Sequence, residues 1–349
     1  MAIHQALGLL FSLAVAAALA LTFVLRPLPP MPPTELRIQH LLMLDVLTIG
    51  ERLVSVGQRG QIFISDDHGQ QWQRVDSPTT ATLTALAQID AQRLVAVGHD
   101  SVILLSDDGG EHWQVVFSQA ESEEPLLAVY FYSAYQGIAV GAYGRYLYSY
   151  DGGQTWMPRS LNGEDMHFNA LARVGASLLL AGEAGTLLRS DDGGEHWYTL
   201  DSPYVGSFFG LLPLADDRVL VYWMRGQVYH SADAGETWQA VVTHTQSAIF
   251  GGWANAQQVL LTGHNGLLLY SADAGMRFKP VDTASSRSFT RITASGRPAE
   301  WLLIGEQGGK HWSLRDTLHS NHEIAAPTVS VQTSHPSEET FSLETAHPD

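Results

Sequence analysis

The sequence of 349 residues contains no cysteine. Disulfides, thiolate metal sites and cysteine nucleophiles are thereby excluded, while either redox compartment stays open to the chain. Charge is also scarce, with Asp, Glu, Lys and Arg making up 16% of residues. It is lopsided as well: 36 acidic against 19 basic residues give a formal net charge of −17. A surface of that sign favours solubility and repels phosphate backbones, so no nucleic-acid partner is expected. Against these shortages stand 32 glycines and 45% hydrophobic residues. That balance suits a turn-rich β chain with a large core rather than a helical one.

One long uncharged run breaks the β character. Ala6 to Leu25 reads ALGLLFSLAVAAALALTFVL, twenty residues and about the length of a membrane-spanning helix. Residues 1–26 are therefore read as a signal-anchor or transmembrane segment. Residues 27–35 are read as a Pro-rich linker, since a proline run ends a helix and stays extended. Ala18-Leu19-Ala20 offers a signal-peptide cleavage site, but a basic region before the apolar run is missing and the run continues past Ala20. Both the cleaved and the anchored form remain open. Arg26 and Arg37 pull weakly toward a cytoplasmic orientation, whereas an apolar N-terminus before a folded domain is the usual layout for export. The expectation is a membrane-anchored, exported domain, periplasmic or lumenal, and a secreted or periplasmic one if the segment is cleaved.

Internal periodicity decides the fold. The segment SDDHGQQW at Ser65–Trp72 returns as SDDGGEHW (Ser106–Trp113), SYDGGQTW (Ser149–Trp156), SDDGGEHW (Ser190–Trp197), SADAGETW (Ser231–Trp238) and SADAGMRF (Ser271–Phe278), at serine spacings of 41, 43, 41, 41 and 40 residues. A second signature places glycines eight and five residues before the serine: Gly57/Gly60, Gly141/Gly144, Gly182/Gly185 and Gly263/Gly266. Blade two keeps Gly98 but has Ser101, and blade five keeps Gly226 but has Trp223. Gly305 and Gly308 before Ser313 reveal a seventh unit, with Arg315 where the aspartate should be. In unit two, Leu83–Gln88, Arg93–Gly98, Ser101–Ser106 and Trp113–Phe117 read as four strands joined by Gly/Asp turns. Four strands in about 42 residues make a propeller blade. The fold class is thus all-β, a seven-bladed β-propeller over residues 36–315.

In the repeated turn, Asp67, Asp108, Asp151, Asp192, Asp233 and Asp273 accept backbone N–H groups and close the loop. Glycine supplies a conformation costly for other residues, and tryptophan packs between blades. These aspartates are structural. They sit one per blade, too far apart to converge on a calcium ion, and no metal or other cofactor is expected. Leu36–His40 alternates and is expected to supply the outer strand of blade seven, with Thr328–Thr333 competing for that place. Residues 316–349, rich in Ser, Thr, His, Glu and Pro, read as a disordered tail.

The hairpins between second and third strands lie on the face opposite the aspartate turns. They carry Gln58-Arg59, His99-Asp100, Ala142-Tyr143, Glu183-Ala184, Met224-Arg225, His264-Asn265 and Glu306-Gln307. The repeat fixes the flanking glycines and leaves these residues to vary, as binding loops on a rigid scaffold do. With Trp223 of blade five and Arg145 of blade three they form the candidate partner-binding face. Trp223-Met224-Arg225 reads either as an exposed protein-binding cluster or as packing against blade six. His99 and His264 stand too many blades apart to share a metal. The linker holding Glu121, Glu123 and Glu124 is read as a solvated loop, with an acidic contact site as the alternative.

The repeated turn resembles the Asp-box, or bacterial neuraminidase repeat. The whole unit, with its glycine pair, resembles the photosynthesis system II assembly and stability factor family from residue 36 to about 315. That resemblance implies a seven-bladed propeller of non-enzymatic assembly factors that carries a basic patch. Bacterial relatives without photosystems often lie beside membrane transport systems. The implied partner is a membrane protein complex, contacted by protein–protein binding. The alternatives are an Asp-box glycoside hydrolase and a glycan-binding module. Sialidases use six blades, an arginine cluster and an Arg-Ile-Pro motif that this chain lacks, so no catalytic residues are assigned.

Overall fold

A computed structural model describes residues 2–24, 37–161 and 165–314. The Pro-rich segment 27–35 and the tail 316–349, with its Thr328–Thr333 candidate strand, lie outside the described residues. The uncharged run forms one α-helix, Ala2–Val24. Among the described residues no helix is long and apolar enough to cross a membrane, so the helix is shown and a membrane span is not.

Seven antiparallel sheets follow, each in sequential strand order. Blade two shows how closely sequence and strands agree: Leu83–Gln88, Leu94–Gly98, Ile103–Ser106 and Gln114–Phe117. The first strands pack against one another around the ring, and that of blade seven, Phe289–Ala294, closes on that of blade one, Met43–Ile49. First strands are therefore innermost.

The apolar runs of the second and third strands follow from stacking. Each blade is covered on both faces, so its middle strands are buried without a polar alternation. Leu94, Ala96 and Leu104 of blade two join Val54, Ile64 and Val75 of blade one. The alternate residues Val95, Ile103 and Leu105 join Leu126, Val129 and Leu147 of blade three. The period of two sends neighbouring side chains into different inter-blade layers. Trp113 belongs to the first layer, its indole N–H donating to Gly110 O at 2.9 Å, which bears out the between-blade role of the turn tryptophan.

First strands carry a bulge near their start in blades one, two, three, four, six and seven. The extra residue turns toward the next blade. Thr84 Oγ1 donates to Leu126 O at 2.6 Å, Asn169 Nδ2 to Phe208 O at 2.8 Å, and Thr290 Oγ1 to Met43 O at 2.8 Å.

Blade seven departs from the other six. Its described strands are three: Phe289–Ala294, Glu300–Gly305 and Gly308–Ser313. The outer strand expected from Leu36–His40 is not formed, because Ile38–His40 is a 3-10 turn. Gly308, at φ +67°, brings its backbone so close that a Cβ there would stand 2.4 Å from Ile38 O. Its N–H bonds Leu41 O at 3.1 Å, so this segment crosses the end of the blade instead of running along its edge. The register also slips by one. Val56 pairs with Ile62 in blade one, whereas Ile304, at the same distance before its hairpin, pairs with Gly309 instead of Lys310. A one-residue slip turns every side chain of the strand to the other face.

Candidate protein-binding face

The glycine pair acquires a physical role in the hairpins. In blade one Gln61 N donates to Gln58 O at 3.1 Å, with Arg59 at φ 56° and Gly60 at φ 67°. Two successive left-handed residues define a type I′ turn, whose twist matches antiparallel strands. Asp100/Ser101, Tyr143/Gly144, Ala184/Gly185, Arg225/Gly226 and Asn265/Gly266 repeat the positive φ pair. The earlier glycine is extended and is required by space instead: a Cβ on Gly57 would lie 2.3 Å from Leu42 O, and one on Gly263 1.9 Å from Ala248 O.

The turns display Arg59, His99, Tyr143, Met224, Arg225, His264, Asn265, Glu306 and Gln307 to solvent, with Gln58, Asp100 and Glu183 half-buried. His264 Nδ1 lies 3.1 Å from Ser288 Oγ, and Tyr143 meets His167 edge-on at 4.7 Å. Arg145 is not a free surface cation. It reaches Gln119, pairs with Glu124 at 3.2 Å and lies over Phe117 at 5.8 Å. The acidic linker is thus pinned at Glu124, while Glu121 and Glu123 are exposed.

Trp223 requires correction. It is 2% exposed, stacked on Tyr204 at 4.5 Å and on Tyr229 at 5.3 Å, with Phe208 edge-on at 5.2 Å. Its ring neither reaches the surface nor packs on blade six. The ring's aromatic partners come from its own blade and from the connection leading into it, while its backbone carbonyl accepts Ile249 N of blade six at 3.1 Å. That connection supplies what sequence reading missed, Tyr204 and the 89% exposed Val205, held beside the blade-four turn by Gly185 N donating to Gly206 O at 2.8 Å. An apolar pair flanked by Ser202-Pro203 and Gly206-Ser207 was the available signal.

The opposite face is a structural ring. In blade four the Ser190 hydroxyl donates to Asp192 Oδ1 at 2.8 Å and accepts from Gly194 N at 2.8 Å. His196 donates its backbone N–H to Asp192 at 2.9 Å. That N–H bond, with the His196 ring and the Ser190 hydroxyl, holds the Asp192 carboxyl down at about 2. Asp67 is lowered by the Gln71 N–H and Asp273 by the Arg277 side chain. Partial burial pulls Asp108, Asp151 and Asp233 upward, yet hydrogen bonds outweigh it and these are lowered too.

The channel contains a cavity of about 190 Å³ lined by Asp45, Leu86, Asn169, Tyr222 and Arg291 among others. The seven first strands hold a single carboxylate, Asp45. It accepts Val46 N and Leu86 N at 2.9 and 2.8 Å and pairs with Arg291 at 3.2 Å. Burial pushes the Asp45 carboxyl above its usual range, opposed by the Arg291 guanidinium and the backbone donors.

With this geometry in place, the comparisons with known proteins become informative. Residues 116–252 match the model of the photosynthesis system II assembly factor YCF48. Over those residues the chain resembles YCF48. A structure of YCF48 bound to D1 peptide superposes with a TM-score of 0.64 at 16% identity, covering 79% of this chain and 94% of that one. YCF48 from Cyanidioschyzon merolae gives 0.64 at 14%, covering 83% and 98%. The GH74 enzyme of Niastella koreensis also gives 0.64 at 14%, covering 78% of this chain and 52% of that one. At such identities the structural matches establish the propeller fold alone. No curated protein sequence matches the chain. The match to the assembly-factor model covers under half of the chain, and the GH74 neighbours share the propeller architecture.

Proposed function

We propose that this propeller is a non-enzymatic scaffold that binds a protein segment of a membrane complex through its hairpin-turn face. The observation carrying the reading is the exposed series Tyr143, Val205, Met224 and Arg225, with Tyr143, Met224 and Arg225 on the left-handed turns of blades three and five and Val205 on the connection between blades four and five. Aromatic, Met and Arg side chains on fixed loops suit protein recognition. The YCF48 likeness supports a protein ligand, since one such structure holds a peptide. Glycoside hydrolysis requires two facing carboxyl groups, and the single inner-strand carboxylate is engaged by Arg291. Membrane attachment and export belong to the same proposal. They rest on the uncharged run Ala6–Leu25.

The test is recovery of the tagged full-length chain from membranes in mild detergent, beside the variant Met224→Asp/Arg225→Glu. A specific membrane protein should accompany the parent chain and fall at least about tenfold with the variant, the loss expected when a central interface anchor is removed. Recovery of the propeller alone, or a partner indifferent to the variant, overturns the proposal.

A further inference from the structure

Neighbouring blades are clamped at the rim by an arginine reaching the glutamate that follows the turn glycines. Arg52 meets Glu111, Arg159 meets Glu195 and Arg189 meets Glu236, each at 3.0 Å. In blade six that glutamate position is Met276 and the tryptophan position is Phe278. Between blades five and six lies a groove of about 870 Å³, lined by Val241, Val242, Tyr270, Met276, Phe278 and Pro280. Val242 is 66% and Met276 49% exposed. His244 and Lys279 stand on its rim beside Arg277, which is paired with Asp273 at 2.7 Å, and Lys279 is one of only two lysines in this acidic chain.

We propose that this groove receives the chain's own C-terminal segment Glu338–Glu344 (EETFSLE), with Phe341 and Leu343 against Val242 and Met276 and the glutamates beside His244 and Lys279. Phe341 and Leu343 are two apart and point the same way in an extended segment. The residues after Leu314 carry six acids and one base, Arg315, opposite in sign to Lys279. Length permits the contact. Blade seven, whose described strands end at Ser313, adjoins blade six. The twenty-four steps from Leu314 to Glu338 span up to about 80 Å extended, against about 10 Å between stacked sheets. The inference is independent of the hairpin-turn face.

Because the chain has no cysteine, a disulfide can arise only from introduced residues. In the full-length chain, Val242→Cys/Phe341→Cys should close an intramolecular disulfide at least about tenfold faster than Val115→Cys/Phe341→Cys, through its higher effective concentration. Adding Met276→Glu to the first pair should remove the difference. Equal rates, a disulfide formed between two chains, or an advantage indifferent to Met276→Glu overturns the proposal. In the unsubstituted chain, amides of 338–344 should exchange more slowly than in a free peptide of that sequence, and equal exchange overturns it too.

Discussion

Ser190 gives one hydroxyl two partners, Asp192 and the Gly194 N–H, and is itself fully buried. Ser190→Ala leaves a buried N–H without an acceptor, which costs about 1–3 kcal/mol. The urea midpoint should fall accordingly, with an unchanged slope. The six turn aspartates also set the response to acid. Their folded pKa values are depressed, that of Asp192 to about 2. Their contribution is therefore complete above the unfolded value, near about 4, and is lost as pH falls through the folded values. Thermal melts should stay level down to about pH 4 and then drop steeply toward about pH 2. That these aspartates clamp turns was legible in their spacing. The burial of Trp223 was not: a residue in a glycine's place says nothing about Tyr204 and Phe208, which reach it from the preceding connection.

At the level of the hairpin, the earlier glycine and the first left-handed turn residue answer to different constraints and should respond oppositely to substitution. Gly263→Ala drives a methyl to 1.9 Å from a backbone carbonyl. Overpacking of this kind costs about 1–3 kcal/mol or more. Ala184 occupies left-handed space at φ 51° and is exposed, so Ala184→Gly removes a local penalty of about 1 kcal/mol. Paired thermal melts should show the first variant less stable than the parent and the second no less stable. The glycine signature counted seven units correctly, because six of the seven hairpins, the degenerate one included, keep the glycine that a close backbone approach requires. It could not disclose the slipped register of blade seven, since both registers keep Gly305 and Gly308 and differ only in which residue faces Ile304.

The whole ring closes without a strand from Leu36–His40 to bind blade seven, and polar side chains at the channel do part of that work. Arg291 of blade seven pairs with Asp45 of blade one and donates to Phe250 O of blade six at 2.8 Å, while Asp45 accepts Leu86 N of blade two. One ion pair thus touches four blades. Arg291→Met strands a buried carboxylate, a change that costs about 3–5 kcal/mol. Asp45→Asn/Arg291→Met should recover much of that loss, and a double-mutant cycle by urea unfolding measures it. Blade number and order were readable from the repeats. Closure was not, because it depends on where carbonyls from opposite ends of the chain meet.

The seam between blades seven and one is stitched most densely at its inner margin, by Asp45–Arg291, by Thr48 with Thr293 at 2.8 Å and by Thr290 with Met43 O. Its outer margin has no fourth strand among the described residues. The molecule is therefore a split collar whose hinge lies at the axle. Local opening follows the weaker contacts, so it begins at the periphery and spreads inward, and the bore keeps its shape while the circumference breathes.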